Sequence, residues 1–132
     1  MEIERINPSG LWSSPFFTQV VTARGGKTVY VSGQVAEDAS RQLVGPDDLA
    51  AQARQAFKNL KLALAAGGAV PGDVVKINVY IVGYQEKDLD AVQEGLGECF
   101  GADRGFASTL IGVAALARPG LLIEVEATAV IA

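Results

Sequence analysis

The sequence predicts an α+β domain, a two-layer sandwich in which two helices cover one face of a mixed six-stranded sheet. Three observations support this fold class. Clusters of glycine and proline divide the chain into short segments. Six of these segments are rich in β-branched residues, and two longer ones carry apolar residues at helical spacing. Because each helix has a single apolar stripe, we expect both helices to pack on the same face of the sheet.

The first three strands are predicted in the N-terminal part of the chain. A short strand over residues 2–6 precedes a loop that contains Pro8 and Pro15. Two β-rich runs follow over residues 18–23 and 28–35, with a double glycine between them. Glycine tolerates the positive φ of tight turns, so these two runs predict a β-hairpin.

The helices are predicted from capping residues and apolar spacing. Asp47 or Asp48 can cap a first helix that runs to about residue 66, where a double glycine ends it. A second helix is expected over residues 87–100, although Gly95 and Gly97 weaken it by ~1 kcal/mol each. The remaining strands are predicted over residues 74–82, 109–113 and 122–131.

Three of the strands alternate between apolar and polar side chains, which lie on opposite faces of a sheet. The apolar set comprises Val29, Val31, Val35, Val75, Ile77, Val79, Ile81, Ile123, Val125, Ala127 and Ala129. The opposite set comprises Tyr30, Ser32, Gln34, Lys76, Asn78, Tyr80, Glu124, Glu126 and Thr128. One face is therefore suited to the helices. The mixed face is left open to solvent or, as we favour, to another subunit.

The composition predicts a single domain, spanning residues 1–132, that assembles with copies of itself. The chain is 49% hydrophobic with a mean hydropathy of +0.25, and a subunit interface would take up the surplus apolar surface. A formal net charge of -4 argues against nucleic acid as a partner. No apolar run approaches the ~20 residues of a membrane span, and no signal peptide is recognisable, so a cytoplasmic protein is expected.

The chain lacks histidine and contains a single cysteine, Cys99. One chain can therefore build neither a disulfide nor a zinc site of the usual kind, and we predict no metal. Without histidine to activate it, Cys99 is predicted to be a buried apolar thiol rather than a nucleophile.

Four stretches, taken in order, resemble the RidA/YjgF family, also called reactive intermediate deaminases and related to proteins named endoribonuclease L-PSP. They are residues 15–21, 29–34, 52–60, and 107–109 with 123–127. The resemblance covers nearly the whole chain. It implies a chorismate-mutase-like fold and homotrimers with three clefts between neighbouring subunits. It also implies that deaminase members hydrolyse enamines and imines to 2-keto acids and ammonia without metal or cofactor.

The family's site implies roles for particular residues here. An arginine after a Pro-Ala pair binds the substrate carboxylate through two parallel hydrogen bonds, and a glutamate orients the attacking water. Glu124 matches that glutamate and is the predicted catalytic residue. Ser108 is matched to the arginine, with Phe106 in place of the usual proline. The predicted ligand-binding residues are Phe17, Ser32, Gly33, Gln34, Ser108, Thr109 and Arg118.

Losing one bidentate charged contact costs ~2–4 kcal/mol. We therefore expect a protein that binds a small carboxylate or carbonyl metabolite in intersubunit clefts, without standard imine deaminase activity. The first alternative is a 2-iminobutanoate/2-iminopropanoate deaminase-like hydrolase that uses Glu124 and a water, with Arg118 or Arg104 supplying the guanidinium. The second is a structural interaction module, in which residues 32–34 and Glu124 serve assembly only. For Glu124 itself, the alternative to a catalytic role is an ion pair with Lys76.

Overall fold

Six strands and two α-helices form in the computed structural model, which describes residues 1–132. The strands are β1 (Glu2–Ile6), β2 (Val20–Arg24), β3 (Lys27–Val35), β4 (Val74–Val82), β5 (Ala107–Val113) and β6 (Ile123–Ile131). The helices are α1 (Leu49–Ala66) and α2 (Leu89–Phe100). Both helices pack against the inner face of the main sheet, and the predicted two-layer α+β fold is confirmed.

The six strands divide into two sheets rather than one. The main sheet has the order β3-β6-β4-β5 and is mixed, because β4 and β5 run parallel while the other pairs are antiparallel. Strands β1 and β2 form a separate antiparallel pair. The predicted hairpin between β2 and β3 is therefore wrong. The double glycine does turn the chain, with φ of 71° and 77°. However, the nine residues of β3 pair with the equally long β6 rather than with the five residues of β2.

Local signals set the helix ends. Asp48, rather than Asp47, caps α1, since its Oδ1 accepts a hydrogen bond from the Ala51 N–H at 3.1 Å. Gly95 lies where α2 crosses α1. A Cβ at this position would lie 2.8 Å from Cδ2 of Phe57 and 3.1 Å from the Ala53 carbonyl carbon. The glycine that weakens the isolated helix therefore allows the two helices to approach closely.

The inner face of the main sheet follows the predicted alternation except at two bulges. In β4 the register shifts between Val74 and Lys76, so Val74 is fully buried and Val75 is only partly buried. In β3 the register shifts between Val31 and Gln34. A bulge inserts one residue and reverses the alternation beyond it.

The opposite face of the main sheet, called the open face below, carries no helix. Its members are Tyr30, Lys76, Asn78, Tyr80, Thr109, Ile111, Glu124, Glu126 and Thr128. Tyr30 is 81% exposed and Ile111 is 45% exposed on this face. Neither helix is long and apolar enough to cross a bilayer.

Candidate functional site

The carboxylate of Glu124 lies on the open face directly over Gly33. Gly33 belongs to the bulge in β3, and Glu124 is the second residue of the neighbouring strand β6. A Cβ added at position 33 would lie 2.6 Å from Cδ and 2.9 Å from Cγ of Glu124. Glycine is thus required here so that the glutamate can cross the strand backbone. Glu124 is half-buried and belongs to none of the ion pairs of the chain.

The residue of β5 that faces Glu124's side of the sheet is Thr109, not Ser108. In the parallel pair, Ile77 lies beside Ser108 and Asn78 lies beside Thr109. Ile77 is fully buried under the helices, so Ser108 shares the helix-facing side with it. Ser108, the residue matched to the family arginine, therefore lies on the opposite face of β5 from Thr109.

Thr109 is joined to Lys76, for which the sequence suggested only an ion pair with Glu124. The Lys76 ammonium donates a hydrogen bond to Oγ1 of Thr109 at 2.9 Å. The register places Lys76 beside Thr128, four residues along β6 from Glu124. The three ion pairs of the chain are Arg41–Glu37, Arg54–Glu94 and Arg118–Glu37. The alternative Lys76–Glu124 ion pair does not form.

A second carboxylate on the open face is already bound within the chain. The Tyr80 hydroxyl donates a short hydrogen bond to Oε1 of Glu126. This hydrogen bond raises the pKa of Tyr80 above its ordinary value, and burial and the negative charges of Glu126 and Glu124 add to the effect. Tyr80 therefore keeps its proton at neutral pH. Glu126 is committed to Tyr80, which leaves Glu124 as the unpartnered carboxylate.

Two further predicted ligand residues lie away from this face. Gln34 pairs with Val125 of the inner face because of the β3 bulge, so it turns to the helix-facing side. Its Nε2 donates to the carbonyl oxygen of Ser32 at 3.2 Å. Arg118 forms an ion pair with Glu37, a residue of the loop after β3. The expectation that Gln34 faces the polar side is wrong, and Arg118 is held by a carboxylate of its own chain.

Arg104 and Phe17 lie near the beginning of β5. Arg104 is half-buried, and burial lowers the pKa of its guanidinium, with opposing contributions from Asp103 and Cys99. Phe17 is half-buried against the core and contacts the Trp12 ring edge to face, with ring centroids 5.9 Å apart. The next residue, Thr18, donates its N–H to the Phe106 carbonyl at 2.9 Å. This aromatic loop therefore borders the strand that carries Thr109.

The open face thus carries Glu124 above Gly33 toward the β3 edge and Lys76 with Thr109 at the β5 edge. Glu124 and Thr109 are two strands and two residues apart, which corresponds to about 12 Å between their Cα atoms. No three His, Cys, Asp or Glu side chains cluster in a way that would hold a metal. The sequence signal for Lys76 was its alternation with Ile77, which placed it on the mixed face.

Comparison with known proteins agrees with this architecture. Residues 11–131 match the family model described as Endoribonuclease L-PSP. The chain belongs to the RidA/YjgF family. A crystal structure of a Rid-family protein of unknown function from Yersinia pestis is 44% identical, with a TM-score of 0.89, and the match covers 99% of this chain and 100% of that one.

Relatives whose names state an activity have lower sequence identity. A protein of the mite Dermatophagoides farinae named 2-iminobutanoate/2-iminopropanoate deaminase is 30% identical, over 96% of this chain and 99% of its own length. A rat protein of the same name is 38% identical, over 79% of this chain and 73% of its own. These matches also show that the chain is a member of the RidA/YjgF family.

Proposed function

We propose that this RidA/YjgF protein binds a small carboxylate or carbonyl metabolite on the open face, in clefts between copies of the chain in a homotrimer. We further propose that it lacks the standard imine deaminase activity of its named relatives. One observation carries the second part: neither Ser108 nor Thr109 supplies the guanidinium expected on β5, and Arg118 is engaged by Glu37. Without that planar fork a substrate carboxylate loses two parallel charged hydrogen bonds, a loss of about 2–4 kcal/mol.

The exposed apolar side chains support a site between subunits. Tyr30 is 81% exposed on the open face, and Ile111 lies on the same face at the other end of the strand order. A second copy that covers these side chains would enclose the polar residues between them. A pocket formed in this way would be largely apolar with a few polar groups, as small-molecule sites usually are.

Glu124 is the residue proposed to contact the ligand's carbonyl or imine end. Its carboxylate is half-buried, without an ion-pair partner, and supported from below by Gly33. The Glu124 carboxylate lies toward β3, over Gly33, so the reactive end of the ligand is proposed to lie at that edge of the open face. In a binding protein, Glu124 would accept a hydrogen bond from the ligand or from a water beside it.

A second candidate is hydrolysis of an enamine or imine, favoured by the position of Glu124 and by the names of the mite and rat relatives. Here Glu124 would orient a water for attack on the imine carbon. The water oxygen becomes the keto oxygen, and the nitrogen leaves as ammonia with the water's protons. The open face contains no histidine to act as an additional base, so the reaction would depend on one carboxylate.

A coupled assay for hydrolysis of 2-aminoacrylate-derived imines distinguishes the two candidates. We expect no turnover above background for the wild type and a gain of turnover for Ser108→Arg, which restores a guanidinium at the position matched to the family arginine. Thr109→Arg is the matched control, since it adds the same charge on the opposite side of the same strand.

Thermal melting and sedimentation should first confirm that both variants fold and assemble like the wild type. Wild-type turnover that is abolished by Glu124→Gln would refute the binding-only proposal and establish the hydrolase. A wild type that is inactive and binds no 2-keto acid or related metabolite would refute both candidates.

A further inference from the structure

We infer that Gln52 and Asn59, two amide side chains of α1, are positioning residues that hold the Glu124 carboxylate in place. The inference deepens the proposed function and rests on it, because Glu124 is the residue proposed to contact the ligand. Gln52 and Asn59 are seven residues apart, so they lie on the same side of α1, two turns from each other. Helix α1 packs on β3 and β6, the two strands that carry Gly33 and Glu124.

Gln52 fixes the backbone at the beginning of β6. Its side chain is fully buried, and its Oε1 accepts a hydrogen bond from the Leu122 N–H at 2.8 Å, two residues before Glu124. Its Nε2 donates to the carbonyl oxygens of Gly45 at 3.1 Å and Gly120 at 2.9 Å. Because both N–H groups and the oxygen of the amide are used, Gln52 ties the loop before β6 to α1 and to the loop before α1.

Asn59 fixes the end of β3. Its Nδ2 donates to the carbonyl oxygens of Val35 at 2.9 Å and Glu37 at 2.8 Å. Val35 is the last residue of β3 and pairs directly with Glu124. Beyond the β3 bulge only Gln34 and Val35 pair with β6, so the hydrogen bonds from Asn59 add support where the strand pairing is short.

The contact between Glu124 and Gly33 depends on an accurate placement of these two strands. A Cβ at position 33 would lie 2.6 Å from Cδ of Glu124, so the carboxylate lies directly against the β3 backbone. A shift of β3 against β6 would therefore change where the carboxylate lies. Functional side chains must be held within about 0.5 Å of their productive position by the residues that support them. Gln52 supports Glu124 along its own strand, and Asn59 supports the residue opposite it.

The test separates positioning from stability by observing Glu124 itself. Protein labelled with carbon-13 at the glutamate side-chain carboxyl is compared in wild type, Gln52→Met and Asn59→Leu, and the Glu124 signal is assigned by its loss in Glu124→Gln. Both substitutions keep a side chain of similar length and remove the hydrogen bonds. We expect the Glu124 signal to shift or split in both variants, and the affinity for 2-oxobutanoate to fall by about 3- to 30-fold. In a Glu124→Gln background, neither substitution should weaken binding further.

Leu96→Ala is the matched control for stability. Leu96 is 5% exposed in α2, so its truncation lowers the melting temperature without removing a hydrogen bond to β3 or β6. An unchanged Glu124 signal and affinity in Gln52→Met and Asn59→Leu, or equal changes in Leu96→Ala, would overturn this inference and leave the proposed function intact. If Gln52→Met does not fold, Asn59→Leu decides alone. A wild type that binds no 2-keto acid would refute the proposed function, and the Glu124 signal would still decide the inference.

Discussion

The substitution Gly33→Ala separates the position of the Glu124 carboxylate from its chemistry. Gly33 has a negative φ and lies in no left-handed region, so alanine introduces no backbone strain at this position. What it introduces is a methyl group 2.6 Å from Cδ of Glu124, where ordinary contacts begin at 3.4 Å. The carboxylate must therefore move by at least about 0.8 Å, or rotate away from the strand altogether.

A displacement of this size matters to function more than to stability. Glu124 is half-buried and flexible at its far end, so we expect the free energy of unfolding to change by less than about 1 kcal/mol. In contrast, a misplacement of about 1 Å in a functional group can cost on the order of 100-fold in rate. Gly33→Ala should therefore reduce ligand affinity, or turnover if any is found, nearly as much as Glu124→Gln does.

The assay is a double-mutant cycle with Gly33→Ala, Glu124→Gln and the combined variant, measured by 2-keto acid binding and by urea denaturation. If Gly33 acts through Glu124, the combined variant should bind no more weakly than Glu124→Gln alone, since contacting residues are not additive. Fully additive losses, or a Gly33→Ala protein that binds like the wild type, would refute the reasoning.

Three further predictions concern the thiol, the open face and the helix crossing. Burial raises the pKa of Cys99 from 9.0 to about 11, so the stability that the neutral thiol contributes is complete below pH 9 and is lost as pH rises from 9 to 11. Urea denaturation should show the wild type losing about 2 kcal/mol more than Cys99→Ala between pH 8 and pH 10.5, and an equal loss would contradict this. Tyr30→Glu should dissociate the assembly, because it places a charge at a side chain that is 81% exposed in one chain and proposed to be covered by a second copy. An unchanged oligomer in sedimentation velocity would place the interface elsewhere. Gly95→Ala should lower stability by about 1–3 kcal/mol in thermal melts despite its better helix propensity, because its Cβ meets the Ala53 backbone at 3.1 Å; a stabilised protein would show that the helices can separate.

Much of the fold could be predicted from the sequence because its signals are local. An aspartate just before an apolar stripe, such as Asp48, is a good N-cap whatever the rest of the fold. The alternation from Ile123 to Ala129 requires only that one face of the strand be buried. The hairpin between β2 and β3 failed for the opposite reason. A double glycine allows a turn, but it does not determine which strand pairs beyond it, and the length of β6 decided that pairing.

The site was harder to predict than the fold because it depends on single-residue register. One inserted residue at the β3 bulge moves Gln34 to the helix-facing side and places Gly33 beneath Glu124. Likewise, the sequence of β5 alone does not indicate which of Ser108 and Thr109 shares a face with Glu124. The parallel pairing with β4 does, because Ile77 is buried and its neighbour Ser108 must share its face.

The proposed loss of imine hydrolysis depends on orientation more than on affinity. An arginine fork fixes both the charge and the orientation of a carboxylate, and neither Ser108 nor Thr109 can supply such a fork. Since the chemical step requires reacting atoms to be aligned at about 3–3.5 Å, looser orientation reduces turnover far more than affinity. Loss of the fork is therefore expected to lower turnover more than it lowers the affinity for a small acid.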